Sequence, residues 1–193
     1  MRERLRRIGH VGLAVRDLDR AVDFYTGPLG LTLTERFEYP EEDVGHGVLV
    51  RAGAFVRVDS THHCLSIFSF KDGASGPDNA LYGLHHLAFE MDSPDDLLSL
   101  YRRLRDTGVE IVNARQGGPG NQPRFYARDP DGNLLEFYWD IDVIGWTGEP
   151  RAYPPIEEID LESFDFDAYQ AAREEDARRA SSTSGPLLEP GAE

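Results

Sequence analysis

The stretch that decides the fold is GLHHLAFEM, at positions 83–91, because IGHVGLAV at positions 8–15 carries the same pattern. In both, a histidine heads a run that alternates small with large apolar residues, which is typical of a β-strand with one packed face. The alternation places the large residues on the packed face and leaves His10 and His86 on the opposite face, beside small residues. We therefore expect two equivalent strands whose histidines face a cavity.

Each of these strands is followed by a segment with the signals of an amphipathic helix. Asp17 is a candidate N-cap for a helix over 17–26, and Ser-Pro at 93–94 supplies a cap and an N-terminal proline for a helix over 94–106. Apolar residues recur at helical spacing in both segments, and glycine follows each of them. The repeat is weak in identity but consistent in pattern, so it predicts two modules with the same order of elements.

Three further strands complete each module. The alternation predicts them at about 31–38, 47–51 and 62–68 in the first module, and at about 109–113, 124–128 and 133–140 in the second. Asp-Pro-Asp-Gly-Asn at 129–133 predicts a tight turn between the last two strands. The sequence therefore predicts an α+β fold of two βαβββ modules, at about 8–70 and 84–141, joined by a linker rich in glycine and serine.

The paired modules are expected to form one domain over residues 1–141, followed by a C-terminal extension over 142–193. Acidic residues accumulate in this extension and the alternating pattern decays. A helix with charges on all sides is expected at 168–180, and residues 181–193 have the composition of a disordered end. We therefore expect an acidic, partly disordered extension.

The composition argues against several kinds of partner. The 193 residues carry 35 acidic and 20 basic side chains, a formal net charge of −15, which would be repelled by nucleic acid or an anionic membrane. The single cysteine, Cys64, excludes an intramolecular disulfide and fits a reducing compartment. No apolar run approaches the roughly 20 residues that span a bilayer, and residues 1–7 lack the apolar core of a signal peptide. We expect a cytoplasmic protein that binds neither nucleic acid nor membrane.

Glu136 is a lone acid in the apolar last strand, and its parity places it on the cavity face. A buried carboxylate needs a positive partner, because desolvating an unpaired one costs several kcal/mol. With His10 and His86 expected on the same inner surface, a divalent cation suits this role. Either histidine alone fits a structural role, but their repeated position and shared parity favour a metal. Two imidazoles and one carboxylate form the three-ligand face of non-haem Fe(II) sites, provided that these strands meet.

These motifs together resemble the vicinal oxygen chelate superfamily, which includes glyoxalases, bleomycin and fosfomycin resistance proteins, and type I extradiol dioxygenases. The resemblance covers about residues 8–141 and lies in Gly-His-Val at 9–11, HHLAFE at 85–90 and FYARDPDGNLLEF at 125–137. It implies that the two modules form a half-open β barrel around a metal site. The implied ligands are His10, His86 and Glu136, and the implied metal is Fe(II), with Mn(II) as the alternative.

The stretch DSTHHCLS, at positions 59–66, favours the dioxygenase branch. It is similar to a segment of extradiol dioxygenases whose second histidine is the acid-base residue beside the metal, a role that the resemblance assigns to His63. The resemblance also implies that Tyr126 hydrogen-bonds a substrate hydroxyl. His62 and His85 have the opposite parity to their neighbours and are expected to be structural or supporting. Larger extradiol enzymes carry a further histidine before the Phe-Tyr pair, where this chain has GGPGNQ at 117–122.

The leading hypothesis is an Fe(II)-dependent extradiol ring-cleaving dioxygenase that acts on a catechol-type small aromatic diol and dioxygen. Two alternatives remain open. One is a lyase or isomerase of the glyoxalase or epimerase type with another divalent metal, and the other is a metal-free protein that binds an aromatic drug. A homo-oligomer is also open, since members of this superfamily often form dimers.

Overall fold

The computed structural model describes residues 8–38, 50–70, 84–118, 120–141 and 155–183. The chain divides into two compact units, Met1–Glu158 and Ile159–Glu193. The first unit holds both sheets and two helices, and the second holds a helix, α3, at Phe166–Thr183. In the part of the chain that is described, no helix is both long and apolar enough to cross a membrane.

The first module forms a four-stranded sheet with one helix. Its elements are β1 (Val11–Val15), α1 (Leu18–Thr26), β2 (Thr32–Glu38), β3 (Val50–Arg57) and β4 (Leu65–Phe70). The strand order is β1-β4-β3-β2, with β1 parallel to β4 and the other pairs antiparallel. The predicted βαβββ order is confirmed. The strand predicted at 47–51 differs, because β3 runs on to Arg57 and residues 47–49 lie outside the described ranges.

The second module repeats this order. Its elements are β5 (Leu87–Glu90), α2 (Pro94–Asp106), β6 (Ile111–Gln116), β7 (Arg124–Arg128) and β8 (Leu134–Tyr138). A short strand from the region after residue 141, β9 (Glu157–Glu158), pairs with β6, so the strand order is β5-β8-β7-β6-β9. As in the first module, the leading strand is parallel to the last, since β5 pairs parallel to β8. The predicted α+β fold is confirmed.

Both helices begin where their capping residues predict. The Asp17 carboxylate accepts a hydrogen bond from the Arg20 backbone N–H, and the Ser93 hydroxyl accepts one from the Asp96 backbone N–H. Such caps satisfy backbone donors that the first turn leaves unpaired. The apolar stripe of each helix is buried. Its residues are Leu18, Ala21, Val22 and Tyr25 in α1 and Leu97, Leu100 and Leu104 in α2.

The strand parity is also confirmed. In β1, Leu13 and Val15 are buried, whereas Gly12 and Ala14 are exposed. In β8, Leu135 and Phe137 are buried, and the Phe137 ring stacks on Phe125 with a centroid separation of 5.0 Å. Each sheet therefore uses its large apolar face for the core, and the histidine-bearing face of β1 remains accessible.

The two modules contact each other through polar groups near their helices and turns. The Tyr25 hydroxyl donates to Asp129 Oδ2 at 2.9 Å, and Arg103 Nε donates to the Pro28 carbonyl at 2.8 Å. Strand pairing stays within each sheet, so the strands of the described residues do not form a closed barrel.

Candidate metal and substrate site

Glu136 lies at the centre of the candidate site on the second sheet. It stands in β8 between Ala88 of β5 and Tyr126 of β7, with which it is in register. Its residue exposure is only 5%. The small side chain of Ala88 on one side leaves room for the carboxylate, and Tyr126 places a hydroxyl on the other. The predicted burial of this lone acid is confirmed.

His86, just before β5, reaches the same carboxylate. Its Nε2 lies 3.1 Å from Glu136 Oε2, and its side chain is 36% exposed. Its other ring nitrogen, Nδ1, lies 2.8 Å from Nδ1 of His85. This contact holds the His86 ring in place, as a partner on the second ring nitrogen does for metal-binding histidines. The structure thus brings two of the three predicted ligands together.

Two further polar residues surround the other carboxylate oxygen. Gln122 Nε2 donates to Glu136 Oε1 at 3.4 Å, and Arg124 Nε lies 3.9 Å from the same oxygen. Both residues are buried. Sequence reasoning missed them, although Arg124 shares the parity of Tyr126 in β7 and its charge among apolar neighbours was a visible signal.

Tyr126 contacts both Arg124 and His86 in this network. Its hydroxyl accepts a hydrogen bond from Arg124 Nε at 3.1 Å, and its ring meets that of His86 edge-on at 6.2 Å. Burial raises the pKa of Tyr126, as do its hydrogen bond to Glu136 and the charge of that carboxylate, while Arg124 opposes the shift. The hydroxyl therefore keeps its proton at neutral pH and can donate a hydrogen bond.

His10 and His63 form a second cluster on the first sheet. Their ring centroids are 4.6 Å apart, and the His63 ring also packs on Phe55 at 4.5 Å. Desolvation, followed by the neighbouring imidazoles of His10 and His62, lowers the pKa of His63, so this ring is neutral at neutral pH. His62 links this cluster to Glu35, since its Nδ1 lies 2.9 Å from Nδ1 of His63 and its Nε2 lies 3.5 Å from Glu35 Oε2.

Within the described residues, no three side chains of the His, Cys, Asp and Glu types gather as a group that could hold a metal ion. His10 therefore does not join His86 and Glu136 within this chain, and the three-ligand site remains a prediction. The His86–Glu136 pair does suit a metal, because nitrogen and carboxylate oxygen are the donors that Fe(II) accepts. The two donor atoms lie 3.1 Å apart, close enough for one cation to contact both.

Comparison with known proteins gives consistent matches over the two modules. The model of the Glyoxalase/Bleomycin resistance protein/Dioxygenase superfamily matches residues 7–137. The chain is 31% identical to biphenyl-2,3-diol 1,2-dioxygenase 3 of Rhodococcus globerulus over 136 residues, covering 69% of this chain and 63% of that protein. It is 32% identical to the lactoylglutathione lyase of Neisseria meningitidis over 134 residues, covering 68% of this chain and 88% of that protein.

A solved structure agrees with these matches. The glyoxylase/bleomycin resistance protein/dioxygenase domain from Frankia sp. EAN1pec is 26% identical, with a TM-score of 0.54, and the match covers 71% of this chain and 99% of that domain. The chain spans less than two thirds of the length of the Rhodococcus dioxygenases that it matches.

Proposed function

Because the chain belongs to the Glyoxalase/Bleomycin resistance protein/Dioxygenase superfamily, we propose that it is an Fe(II)-dependent extradiol dioxygenase that cleaves the ring of a catechol-type diol. Relatives named as dioxygenases and as lyases support an enzyme of this superfamily. The observation that carries the proposal is the buried Glu136 carboxylate, paired with His86 and adjacent to the protonated hydroxyl of Tyr126.

His86 and Glu136 would hold the metal together with His10. Because His10 lies with His63 on the other sheet, the proposed site takes His10 of the partner subunit, from a second copy of this chain. The two histidines are accessible for this, since His10 is exposed and the His86 side chain is 36% exposed. A twofold-symmetric pair of chains forms two such sites, because each chain offers both halves.

This pairing would bring an acid-base residue to the site with the third ligand. His63 accompanies His10, since their rings are 4.6 Å apart. Bound Fe(II) would act as a Lewis acid that lowers the pKa of the diol hydroxyls and would offer open positions for substrate and dioxygen.

The side chains of this chain would then orient the substrate and transfer its protons. On substrate binding, Tyr126 would turn its hydroxyl proton from Glu136 to a substrate oxygen and so orient the ring. His63, neutral because of its lowered pKa, accepts a proton from the diol at a ring nitrogen and returns it as the ring opens. Proton transfer of this kind contributes about 10²–10⁴ in rate.

Replacement of His63 tests this assignment. We expect His63→Ala to bind Fe(II) and catechol as the unchanged protein does but to lose about 10²–10⁴ of kcat, measured as oxygen uptake and as formation of the coloured ring-opened product. Glu35→Gln is the matched control, because Glu35 lies one contact further out, against His62, and it should keep most of the activity. Full turnover in His63→Ala would exclude the proposed role.

A lyase or isomerase is the second candidate. The observation in its favour is that the lactoylglutathione lyase match covers 88% of that protein, against 63% of the dioxygenase. An enediolate reaction also uses a metal with open positions but consumes no dioxygen. Oxygen uptake with a catechol therefore separates the two candidates, and its absence alongside turnover of a hemithioacetal with Ni(II), Co(II) or Zn(II) would favour the lyase.

A further inference from the structure

The second sheet contains a buried arginine to which the proposed reaction assigns no role. Arg124 begins β7 and is 5% exposed. Its Nη1 donates to the carbonyl oxygens of Gly117 at 2.9 Å and Gln122 at 3.0 Å, and its Nε donates to the Tyr126 hydroxyl at 3.1 Å. These bonds fix the planar guanidinium in one orientation, which a lysine ammonium could not reproduce.

The same guanidinium lies near Oε1 of Glu136, whereas His86 contacts the other oxygen, Oε2. Arg124 Nε and Gln122 Nε2 lie 3.9 Å and 3.4 Å from Oε1, whereas His86 Nε2 lies 3.1 Å from Oε2. The two oxygens of this carboxylate therefore have different surroundings. The Gln122 amide donates to Oε1, whereas the single N–H of Arg124 Nε is used by Tyr126, so Arg124 contributes its positive charge near that oxygen. Both oppose a metal ion at Oε1, because a cation competes with the N–H group for the same lone pairs and is repelled by the guanidinium.

The side-chain amide of Gln122 also indicates that Oε1 of Glu136 is the oxygen that accepts a hydrogen bond. Gln122 is 6% exposed, and its Oε1 has no hydrogen-bond partner among the described residues. Burying an amide with one unpaired atom is unfavourable. The amide nitrogen is the part of this side chain that makes a contact, and that contact is with Glu136.

We propose that Gln122, through its hydrogen bond, and Arg124, through its nearby charge, are positioning residues at Oε1 of Glu136 that reserve Oε2 as the single oxygen offered to the metal. Arg124 also orients Tyr126, because the hydroxyl oxygen accepts from Nε and its proton consequently points away from the guanidinium, towards Glu136. The inference rests on the proposed function, since it presupposes a metal at Glu136. Hydrogen bonds to metal-binding carboxylates are known to orient them and to strengthen metal binding.

Mn(II) binding to the whole chain tests this inference without relying on turnover. Arg124→Lys keeps the charge, so a change in affinity reports the lost guanidinium geometry. We expect its Mn(II) dissociation constant to rise about 10- to 100-fold and the electron paramagnetic resonance spectrum of bound Mn(II) to change as the carboxylate reorients. Arg128→Lys is the matched control, because Arg128 has the same parity in β7 but is exposed and pairs with Glu110 at 3.5 Å.

Gln122→Ala is the second variant, because it keeps the buried arginine and removes only the amide. We expect the same direction of change, with a loss in kcat that exceeds any change in KM. The inference is overturned if Arg124→Lys or Gln122→Ala folds and binds Mn(II) with the affinity and spectrum of Arg128→Lys. If the unchanged protein binds no Mn(II) or Fe(II), the proposed function fails, which is a different result.

Discussion

Asp129 is a single carboxylate that fixes a turn and joins the two modules. Its Oδ1 accepts from the backbone N–H groups of Asp131 at 2.9 Å and Asn133 at 2.8 Å, and its Oδ2 accepts from the Tyr25 hydroxyl at 2.9 Å. Burial, followed by the charge and hydrogen bond of Asp129, raises the pKa of Tyr25 strongly, so its hydroxyl remains a donor. The carboxylate is thus buried with its lone pairs satisfied.

Removing the Tyr25 hydroxyl should destabilise the fold. Tyr25→Phe leaves Asp129 Oδ2 with one donor fewer in a buried setting, which we expect to lower the free energy of unfolding by about 1–3 kcal/mol, measured by urea denaturation. The control is Tyr101→Phe. The Tyr101 ring packs on Phe125 at 5.3 Å, and no hydrogen bond of its hydroxyl is found within the described ranges. Equal stabilities of the two variants would contradict this account.

At this scale the sequence predicts a residue's face better than its partners. Parity correctly placed Glu136 on the inner face and made His86 a candidate neighbour, because alternation in a strand is a local property. The contacts of Arg124 with Tyr126 and Glu136, and of Tyr25 with Asp129, were not predicted. They depend on the approach of segments far apart in the chain, which leaves no local pattern.

Among the elements, β3 shows how a glycine inside a strand makes room for aromatic rings. Gly53 lies under the rings of Phe37 and Phe68, and a β-carbon there would come within 2.8 Å of Phe37 Cε2 and 3.0 Å of Phe68 Cδ1. Phe55 completes this aromatic cluster, with its centroid 5.0 Å from that of Phe37. Glycine within a strand often marks such a close approach, and β3 continues through Gly53 beyond the predicted end at residue 51.

A methyl group at position 53 should therefore disturb the aromatic cluster. We expect Gly53→Ala to lower the free energy of unfolding by about 1–3 kcal/mol, because the rings must move from their packed positions. Gly12→Ala is the control on the same sheet, since the nearest atom to its added β-carbon is Phe68 Cε2 at 3.7 Å. Thermal or urea unfolding checks both, and a Gly53→Ala protein as stable as Gly12→Ala would contradict the expected crowding.

The elements that the sequence predicted best are those with local boundary signals. Helix 94–106 and strand 124–128 were predicted to the residue, because a serine cap, a proline and a flanking turn mark their ends. Strand β9 was missed. Its two glutamates carry no apolar alternation, and they form a strand because β6 offers an edge with which they can pair.

For the whole molecule, the sequence predicted two modules and one inner face on each, but not how those faces meet. Parity led us to expect His10 on the same inner surface as His86 and Glu136, whereas the structure places His10 beside His63 and only His86 beside Glu136. Whether the two histidine-bearing faces meet within one chain or between two copies depends on how the modules pack. Strand periodicity carries no information on that packing. The separation of the ligands on two sheets is therefore information that only the structure supplied.

The metal content of mixed variants tests the shared three-ligand site most directly. After anaerobic incubation with Fe(II), the unchanged protein should bind one ion per chain, and His10→Ala and Glu136→Gln alone should bind none. Refolding these two variants together should restore about one quarter of the metal, because half of the randomly formed dimers are mixed and each has one intact site. No restored metal in verified mixed dimers, or no ion in the unchanged protein, would contradict the account.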